Sequence, residues 1–519
     1  NQRYRQLYSF CKGKYALTVP FMEQFHSLSK SGAVDPSRAG WIGQITSNSF
    51  MTREFGVPLI EDFFPQVDLL EVIDTSGAYI PGHGTPTVTL VSRSRRPQAN
   101  TVRTVLGIQG EPGAPEDPAE GLVWRSIVRY IDEPSHEDSW ISVLNIPRMS
   151  LEGHPWSLQG GAVPAASRQI SGNSIRSMGE VTESIGILAV TGEDDAFTVG
   201  HMAALKSSPY DIFRDFATGD VVREWSATTS SKVVFPYRNV DLQAQLASEL
   251  ESHFWMRRAH LKSRIYFGQT NVERGLAWFE YAFLMKQRCR AANLIAFPFV
   301  STHNHFVLDR GGRVFNRTAP VIKLQEGASE GEHFELLGVL NSSIAALWLR
   351  QNCFNKGSTT DSKGARTTLA AWENFYEFTG TTLKDFPLPA GSTLERARRI
   401  DQLAQELAAV EPAALLEGAA PSAELFARGE VEWERIRGLM IAEQEELDWQ
   451  VYHLYGFTDS DLSLPVGEVP GIALGERAFE IALARRVQAG EAETAWFDRH
   501  RSTPVAEVPN HLPSGYRDA

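Results

Sequence analysis

Apolar residues recur along this chain at two periods, and the period changes with position. Between Tyr15 and Leu28 they fall at Leu17, Phe21, Phe25 and Leu28, the spacing of one helix face. After the turn at Asp35-Pro36, the stretch Gly40 to Ile45 reads as a short buried strand, and Thr52 to Phe64 as a second helix. Leu69 to Ile73 and Thr87 to Val91 read as strands joined by the Gly- and Pro-rich loop Gly77 to Gly84. This order predicts the end of an open α/β sheet finished by a hairpin. No Gly-rich turn after a strand precedes it, so the usual nucleotide-binding first half of such a sheet is not in the sequence.

Gln109 to Pro118, rich in Gly, Pro and Glu, reads as a linker. Beyond it, strand-like runs (Ile185 to Val190, Lys232 to Phe235, Leu294 to Phe299, Phe306 to Leu308) mix with a helix over Phe334 to Leu349. From Thr393 the pattern turns helical, with Arg396 to Ala409 and Glu430 to Tyr455 separated by a Pro/Ala-rich break at Glu411 to Pro421. The expected organisation is an α/β part over 1–108, a connector over 109–160, an α+β region over 161–390 and an α-helical region over 391–519.

Composition adds limits. Of 519 residues 42% are hydrophobic and 22% charged, enough apolar side chains for several cores. Cys11, Cys289 and Cys353 are too scattered for a disulfide framework or a zinc spacing. No charged-then-apolar leader opens the chain. The longest apolar run, near Leu336 to Leu349, is broken by Asn341, Ser342 and Ser343 and is too short for a bilayer. A soluble, cytoplasmic protein with no membrane partner is expected.

The net charge of −13 argues against nucleic acid for the chain as a whole, but its distribution is uneven. Arg257 to Arg366 holds sixteen Lys and Arg against eight Asp and Glu. Gly391 to Ala519 holds twelve Arg, no Lys, and 23 acids. The first region could meet phosphates or be solvated surface; the second would be repelled by them and is expected to face protein.

Four stretches carry chemistry. Lys12-Gly13-Lys14-Tyr15-Ala16-Leu17 with Phe21 and Glu23 resembles the segment that follows the catalytic tetrapeptide of gamma-type adenine methyltransferases. Gly40 to Phe50, ending Thr46-Ser47-Asn48-Ser49-Phe50, resembles the next strand of that family. The runs Ile73 to Thr87 and Thr302 to Arg317 resemble the BREX DNA methyltransferases of the phage-growth-limitation (PglX) type.

The resemblance implies a Rossmann-like methyltransferase sheet of which this chain holds the C-terminal part, then a target-recognition region and a helical part. It implies S-adenosylmethionine as methyl donor, adenine in double-stranded DNA as substrate, and other BREX proteins as partners. The family's Asn-Pro-Pro-Tyr/Phe, whose Asn side chain and Pro carbonyl accept protons from the adenine amine, does not occur in the sequence. The chain alone is therefore expected to be inactive. A non-catalytic DNA-specificity or adaptor subunit, and a fused restriction-methylation enzyme, stay open as alternatives.

By the resemblance, Phe21 packs on the cofactor adenine, although its helical spacing also fits plain core. Tyr79 or Ile80 stacks on a base flipped from the duplex, or packs on its own domain. Asn48 lines the pocket or, more in keeping with its type, caps a helix. Arg310, Arg313 and Arg317 are candidate nucleic-acid contacts. So are Lys356, Lys363 and Arg366 around the Gly-, Ser- and Thr-rich loop after Asn355. His303 and His305, two apart on a strand, and Glu193-Asp194-Asp195 could serve a metal, but a structural pair and an exposed acidic turn fit them better.

Overall fold

A computed structural model of the chain describes residues 2–82, 84–200, 212–229, 231–246, 248–357, 373–492 and 494–518. It contains two compact units. The first comprises Asn1–Arg168, Val300–His303 and Leu347–Thr382; the second comprises Gln169–Phe299, Asn304–Ala346 and Leu383–Ala519.

The first unit is built on a five-stranded sheet. Its strands are β1 (Trp41–Ser47), β2 (Asp68–Asp74), β3 (Thr87–Arg93), β4 (Thr101–Gly107) and β5 (Ile141–Pro147), in the order β1-β3-β2-β4-β5. β3 lies antiparallel between β1 and β2, so the hairpin returns inside the sheet rather than at its edge. β1 and β2 therefore run the same way. β4 joins β2 in parallel and β5 joins β4 antiparallel. β5 and helix α2 (Leu122–Tyr130) lie in the stretch expected to be a connector. The Gly- and Pro-rich composition that suggested a linker is confined to its start, and Ile141 and Val143 are fully buried.

Both faces of the sheet are covered. Val72, Val88, Leu90 and Val102 face a core shared with Val19, Met22, Phe50, Leu59 and Trp156. Ile73, Val105, Ile141 and Val143 face Val123 and Ile127 of α2. Alternate residues of β2 thus point to opposite cores, as the pleat requires.

Two local expectations change. Helix α1 spans Thr18–Leu28, but it buries Val19, Pro20 and Met22. The stripe Leu17, Phe21, Phe25 and Leu28, whose spacing predicted the helix, is exposed. The stretch 52–64 is not one helix. It is a chain of 3-10 turns with one π-helical turn over Pro58–Phe63. Pro58 and Pro65 lack the amide hydrogen that a regular ladder needs. Gly56 meets the Phe50 carbonyl so closely that a Cβ there would lie 1.7 Å from its oxygen.

The second unit mixes small sheets with helices. Val307–Asp309, Leu294–Ala296, Val321–Leu324 and Thr182–Gly186 form one four-stranded sheet; Arg313–Phe315, Phe213–Ala217, Ser231–Val234 and Thr198–Gly200 form another. A two-turn helix α3 (Arg258–Ser263) leads into the hairpin β6 (Ile265–Tyr266) and β7 (Gln269–Thr270). Further on lie α4 (Glu330–Leu340), α5 (Leu394–Ala409) and the long α6 (Ala423–Leu454).

The helix expected over 334–349 is interrupted after Leu340. The Asn341 side chain accepts from the Phe306 amide at 3.0 Å and donates to its carbonyl at 2.9 Å. The Asn304 side chain donates to the carbonyls of Leu340 and Ser342 at 2.8 and 3.0 Å. Two buried amides replace the helix ladder at this point, which is the cheaper way to satisfy those backbone groups away from water.

Some acids of the C-terminal helices are internal: Asp401, Glu443, Glu446 and Glu480 are buried. Arg396 of α5 meets Glu443 of α6 at 2.5 Å with both side chains buried. Glu443 also accepts from the Gly467 amide at 3.1 Å, and Glu446 from the Leu464 amide at 2.5 Å. Burial pushes the Asp448 carboxyl up to about 6 although Ser343 donates to it, and pushes Glu445 up to about 7. Glu480 is buried, yet donors from Arg477, Trp496 and Gly475 hold it down at about 2. No helix among the described residues is long and apolar enough to cross a membrane.

Candidate nucleic-acid interface

In the first unit the candidate groups collect at one end of the sheet. β1 and β2 end side by side, because Ser47 pairs with Thr87 and Asp74 with Val88 across β3. Carboxyl ends of strands in open α/β sheets are where ligands bind. α1 begins at this end: Thr18 Oγ1 lies 2.8 Å from Thr46 Oγ1. It runs back toward the start of β1, where His26 Nε2 meets Ser92 Oγ at 3.1 Å.

Phe21 is one turn in from Thr18. It is 50% exposed and stacks on Phe25, with ring centroids 5.8 Å apart. The core role that its spacing allowed is excluded by this exposure.

The loop after β2 is fixed at its base. Thr75 N donates to the Thr87 carbonyl at 3.2 Å, the two hydroxyls are 2.8 Å apart, and Glu111 N donates to the Gly77 carbonyl at 2.9 Å. Tyr79 and Ile80 follow on this anchored loop, both half-buried. Asn48 N donates to the Pro86 carbonyl at 3.1 Å, which ties the end of β1 to the same loop. The capping role suggested for Asn48 belongs to its neighbour: the Ser47 hydroxyl accepts from Ser49 N at 3.2 Å.

Lys356 lies in the same unit, on the strand Phe354–Gly357 that pairs with Phe375–Glu377. Its ammonium is 3.7 Å from Glu377, a carboxylate also held by Arg53 at 2.9 Å. Arg53 in turn covers the Phe354 ring at 4.0 Å. Two cations, Lys356 and Arg53, thus share the one carboxylate of Glu377. Lys363 and Arg366 lie outside the described residues.

The arginines of the second unit differ among themselves. Arg310 holds Glu330 and Asp401, each at 2.7 Å. Burial alone would lower its pKa, but hydrogen bonds to those carboxylates outweigh it and raise the guanidinium above its usual range. Arg313 holds the buried Asp309 at 3.0 Å, and burial raises the Asp309 carboxyl despite this pairing. Arg317 is exposed in the turn after Phe315. A cavity of about 380 Å3, lined by Trp225, Arg310, Gly312, Arg313, Asp401 and Gln405, opens beside the first two.

The discounted groups are engaged locally. His305 meets Glu224 at 2.7 Å and His303 meets the Thr302 hydroxyl at 2.9 Å. Asp194 and Asp195 open a short helix, and Glu193 meets His260 at 2.8 Å. Among the described residues no cluster of three or more His, Cys, Asp or Glu could hold a metal. The bracing role of Asn304 and Asn341 escaped the sequence reading. Asn341 had shown only as a break in an apolar run, and Asn304 lies in a polar stretch between His303 and His305.

Comparison with known proteins places these observations. Residues 440–519 match a family model described as a domain of unknown function, DUF7008. Among solved structures, the type IIL restriction-modification enzyme MmeI in complex with DNA aligns with 81% of this chain and 47% of its own, at 12% identity and a TM-score of 0.43. The type IIG restriction endonuclease BpuSI aligns with 86% of this chain and 50% of its own, at 13% identity and a TM-score of 0.35. The adenine-specific methyltransferase PglX of Streptomyces coelicolor is 45% identical over 531 residues, covering 100% of this chain. The chain spans 44% of that protein's length. Over its whole length, then, the chain is a relative of the adenine-specific methyltransferase PglX and corresponds to less than half of it.

Proposed function

We propose that the chain acts as part of a DNA adenine methyltransferase of a BREX phage-defence system. That enzyme moves a methyl group from S-adenosylmethionine to the exocyclic amine of adenine in double-stranded DNA. The observation that carries this reading is the 45% identity along the entire chain to an adenine-specific methyltransferase.

Residues 1–108 act as the C-terminal part of a Rossmann-like methyltransferase sheet, 161–390 as the target-recognition region, and 391–519 as a helical region facing protein. Parallel β1 and β2 with β3 inserted between them support the first assignment. The excess of acids over arginines in 391–519, 23 against twelve, which phosphates would repel, supports the last.

S-adenosylmethionine supplies the methyl group when bound. The residues here fit one wall of its site: Phe21 offers an exposed ring beside the carboxyl end of β1. The rest of a nucleotide site, the Gly-rich turn and the Asn-Pro-Pro-Tyr acceptors, is not in this sequence. Tyr79 or Ile80, on the anchored loop at the same sheet end, holds the extruded base by stacking. Lys356, Lys363, Arg366 and Arg317 contact phosphates or base edges.

The test joins two measurements. The longest gene product containing this sequence is incubated with duplex DNA and labelled S-adenosylmethionine, and the digested DNA is searched for N6-methyladenine by mass spectrometry. The 519-residue chain alone is assayed for duplex binding and, by calorimetry, for S-adenosylmethionine. Methyladenine from the long protein, with DNA but not cofactor bound by the chain, supports the reading. Label in cytosine, or none, sinks it.

A further inference from the structure

We infer that the hairpin Ile265–Thr270 is a DNA-inserting finger whose tip, Phe267, enters the base stack, an inference that rests on the DNA-binding reading above.

The finger is short and sharply turned. Ile265 pairs with Thr270 and Tyr266 with Gln269, which leaves Phe267 and Gly268 as a two-residue turn. Both lie at positive φ, 53° and 80°, as a type I′ turn requires. Gly is at ease there; a bulky aromatic residue is not, and Asn or Asp is the usual occupant of the first position. The chain accepts that strain while leaving Phe267 81% exposed. The ring therefore adds almost nothing to a core. Among the described residues the ring meets Tyr266, at 4.4 Å between centroids, and Arg274 covers Tyr266 at 5.5 Å.

The base of the finger is rigid. Buried Arg264 at one foot donates to the carbonyls of Leu261, Trp278 and Glu280 at 3.0, 3.0 and 2.9 Å. Buried Asn271 at the other foot donates to the Glu280 carbonyl at 2.9 Å. A held base with a strained, exposed aromatic tip is built to push into something.

Charge names the partner. With Arg264 buried at the foot, residues 255–275 still carry four Lys and Arg against one Glu, in a chain of net charge −13. Trp255 and Met256 are exposed just before this stretch's cations, and Arg258 lies 4.7 Å over the Trp255 ring. Aromatic groups interleaved with cations suit nucleic acid: the cations meet phosphates and the ring stacks on bases or wedges a base step apart.

Phe267→Asn tests this without endangering the fold, because Asn-Gly is the favoured type I′ pair; Phe267→Gly is the second variant. The full chain is titrated against fluorescent random duplexes across a salt series. Plasmid bound by the chain is also relaxed with topoisomerase, so that duplex unwinding is read as a change in linking number whatever the recognition sequence. Wild type should bind with a salt-dependent affinity and unwind the plasmid. Phe267→Asn should bind about tenfold more weakly with an unchanged salt slope, and should not unwind. Lys262→Ala should instead reduce the salt slope by about one. Wild-type affinity and unwinding in both Phe267 variants would overturn the finger and leave the DNA-binding reading standing. No salt-dependent binding by wild type would fail the DNA-binding reading itself. Loss of binding to phosphatidylserine vesicles, with DNA affinity unchanged, would also overturn the proposal, because the finger would then meet a lipid surface.

Discussion

Replacing Arg396 by Met should unfold the C-terminal helices well before the rest of the molecule. The Arg396 side chain is 2% exposed and that of Glu443 is 3% exposed. Met fills much of the arginine stem's volume, so the loss is mainly one of charge and hydrogen bonding. Glu443 keeps the Gly467 amide but loses its cation, and the Leu464 carbonyl loses its arginine donor. Leaving one partner of a buried pair uncompensated costs about 3–5 kcal/mol. In a unit of this size, about 4 kcal/mol lowers the melting temperature by roughly 8 °C or somewhat more. Calorimetry resolves the transition, and hydrogen exchange should show the amides of Leu464 and Gly467 losing protection first. The double variant Arg396→Met/Glu443→Met removes both charges and should recover most of the loss, as buried pairs often tolerate apolar replacement. The reasoning fails if Arg396→Met melts within about 1 °C of wild type. It also fails if the double variant is worse than the sum of the singles, for then the pair's packing and not its charge would hold the helices.

The remaining predictions concern titration and DNA. Asp448 and Glu445 have folded pKa values above their unfolded ones, about 6 and 7, so the folded state binds more protons and their contribution weakens as pH rises from about 4 to 7. Melting curves of Asp448→Asn should lose part of that slope; a slope identical to wild type would show the carboxyl to be unimportant. Glu480 works the other way: its depressed pKa of about 2 gives stability at neutral pH that is lost as pH falls from about 4.5 toward 2, and Glu480→Gln should melt lower at pH 7 but not at pH 2. In the intact methyltransferase, Tyr79→Ala should slow methylation about tenfold or more with DNA affinity changed much less, since base–aromatic stacking is worth about 1–3 kcal/mol; single-turnover kinetics decides, and an unchanged rate returns Tyr79 to its own domain. Arg317→Ala should lower the salt slope of DNA binding by about one, whereas Arg310→Ala should chiefly lower stability, because Arg310 already holds two carboxylates. Equal effects of both on the salt slope would contradict this division.

The order of elements around residues 40–91 was legible because strand and hairpin signals are local. Buried runs bounded by Gly and Pro placed β1, β2 and β3 to within two residues. The charge contrast between the middle and the end of the chain was equally plain. The kinship was legible in the strings at 73–87 and 302–317, and the 45% identity to PglX along this chain agrees with it.

What tertiary structure decided were the choices that depend on partners far along the chain. Which face of α1 is buried was one: the strongest apolar stripe lost to Val19 and Met22, because those residues meet the sheet core. Another was the fate of the basic region. Counting charges could not tell Arg310, spent on Glu330 and Asp401, from Arg317, left at the surface. The acids of 391–519 read as a region repelled by phosphate and facing protein, and the charge count gave no sign that some of them, such as Glu443 and Glu480, are buried anchors. Sequence states which charges a chain carries and at what spacing. Whether a charge meets water, a phosphate or an internal partner depends on desolvation and on groups tens or hundreds of residues away, and these exist only once the chain has folded.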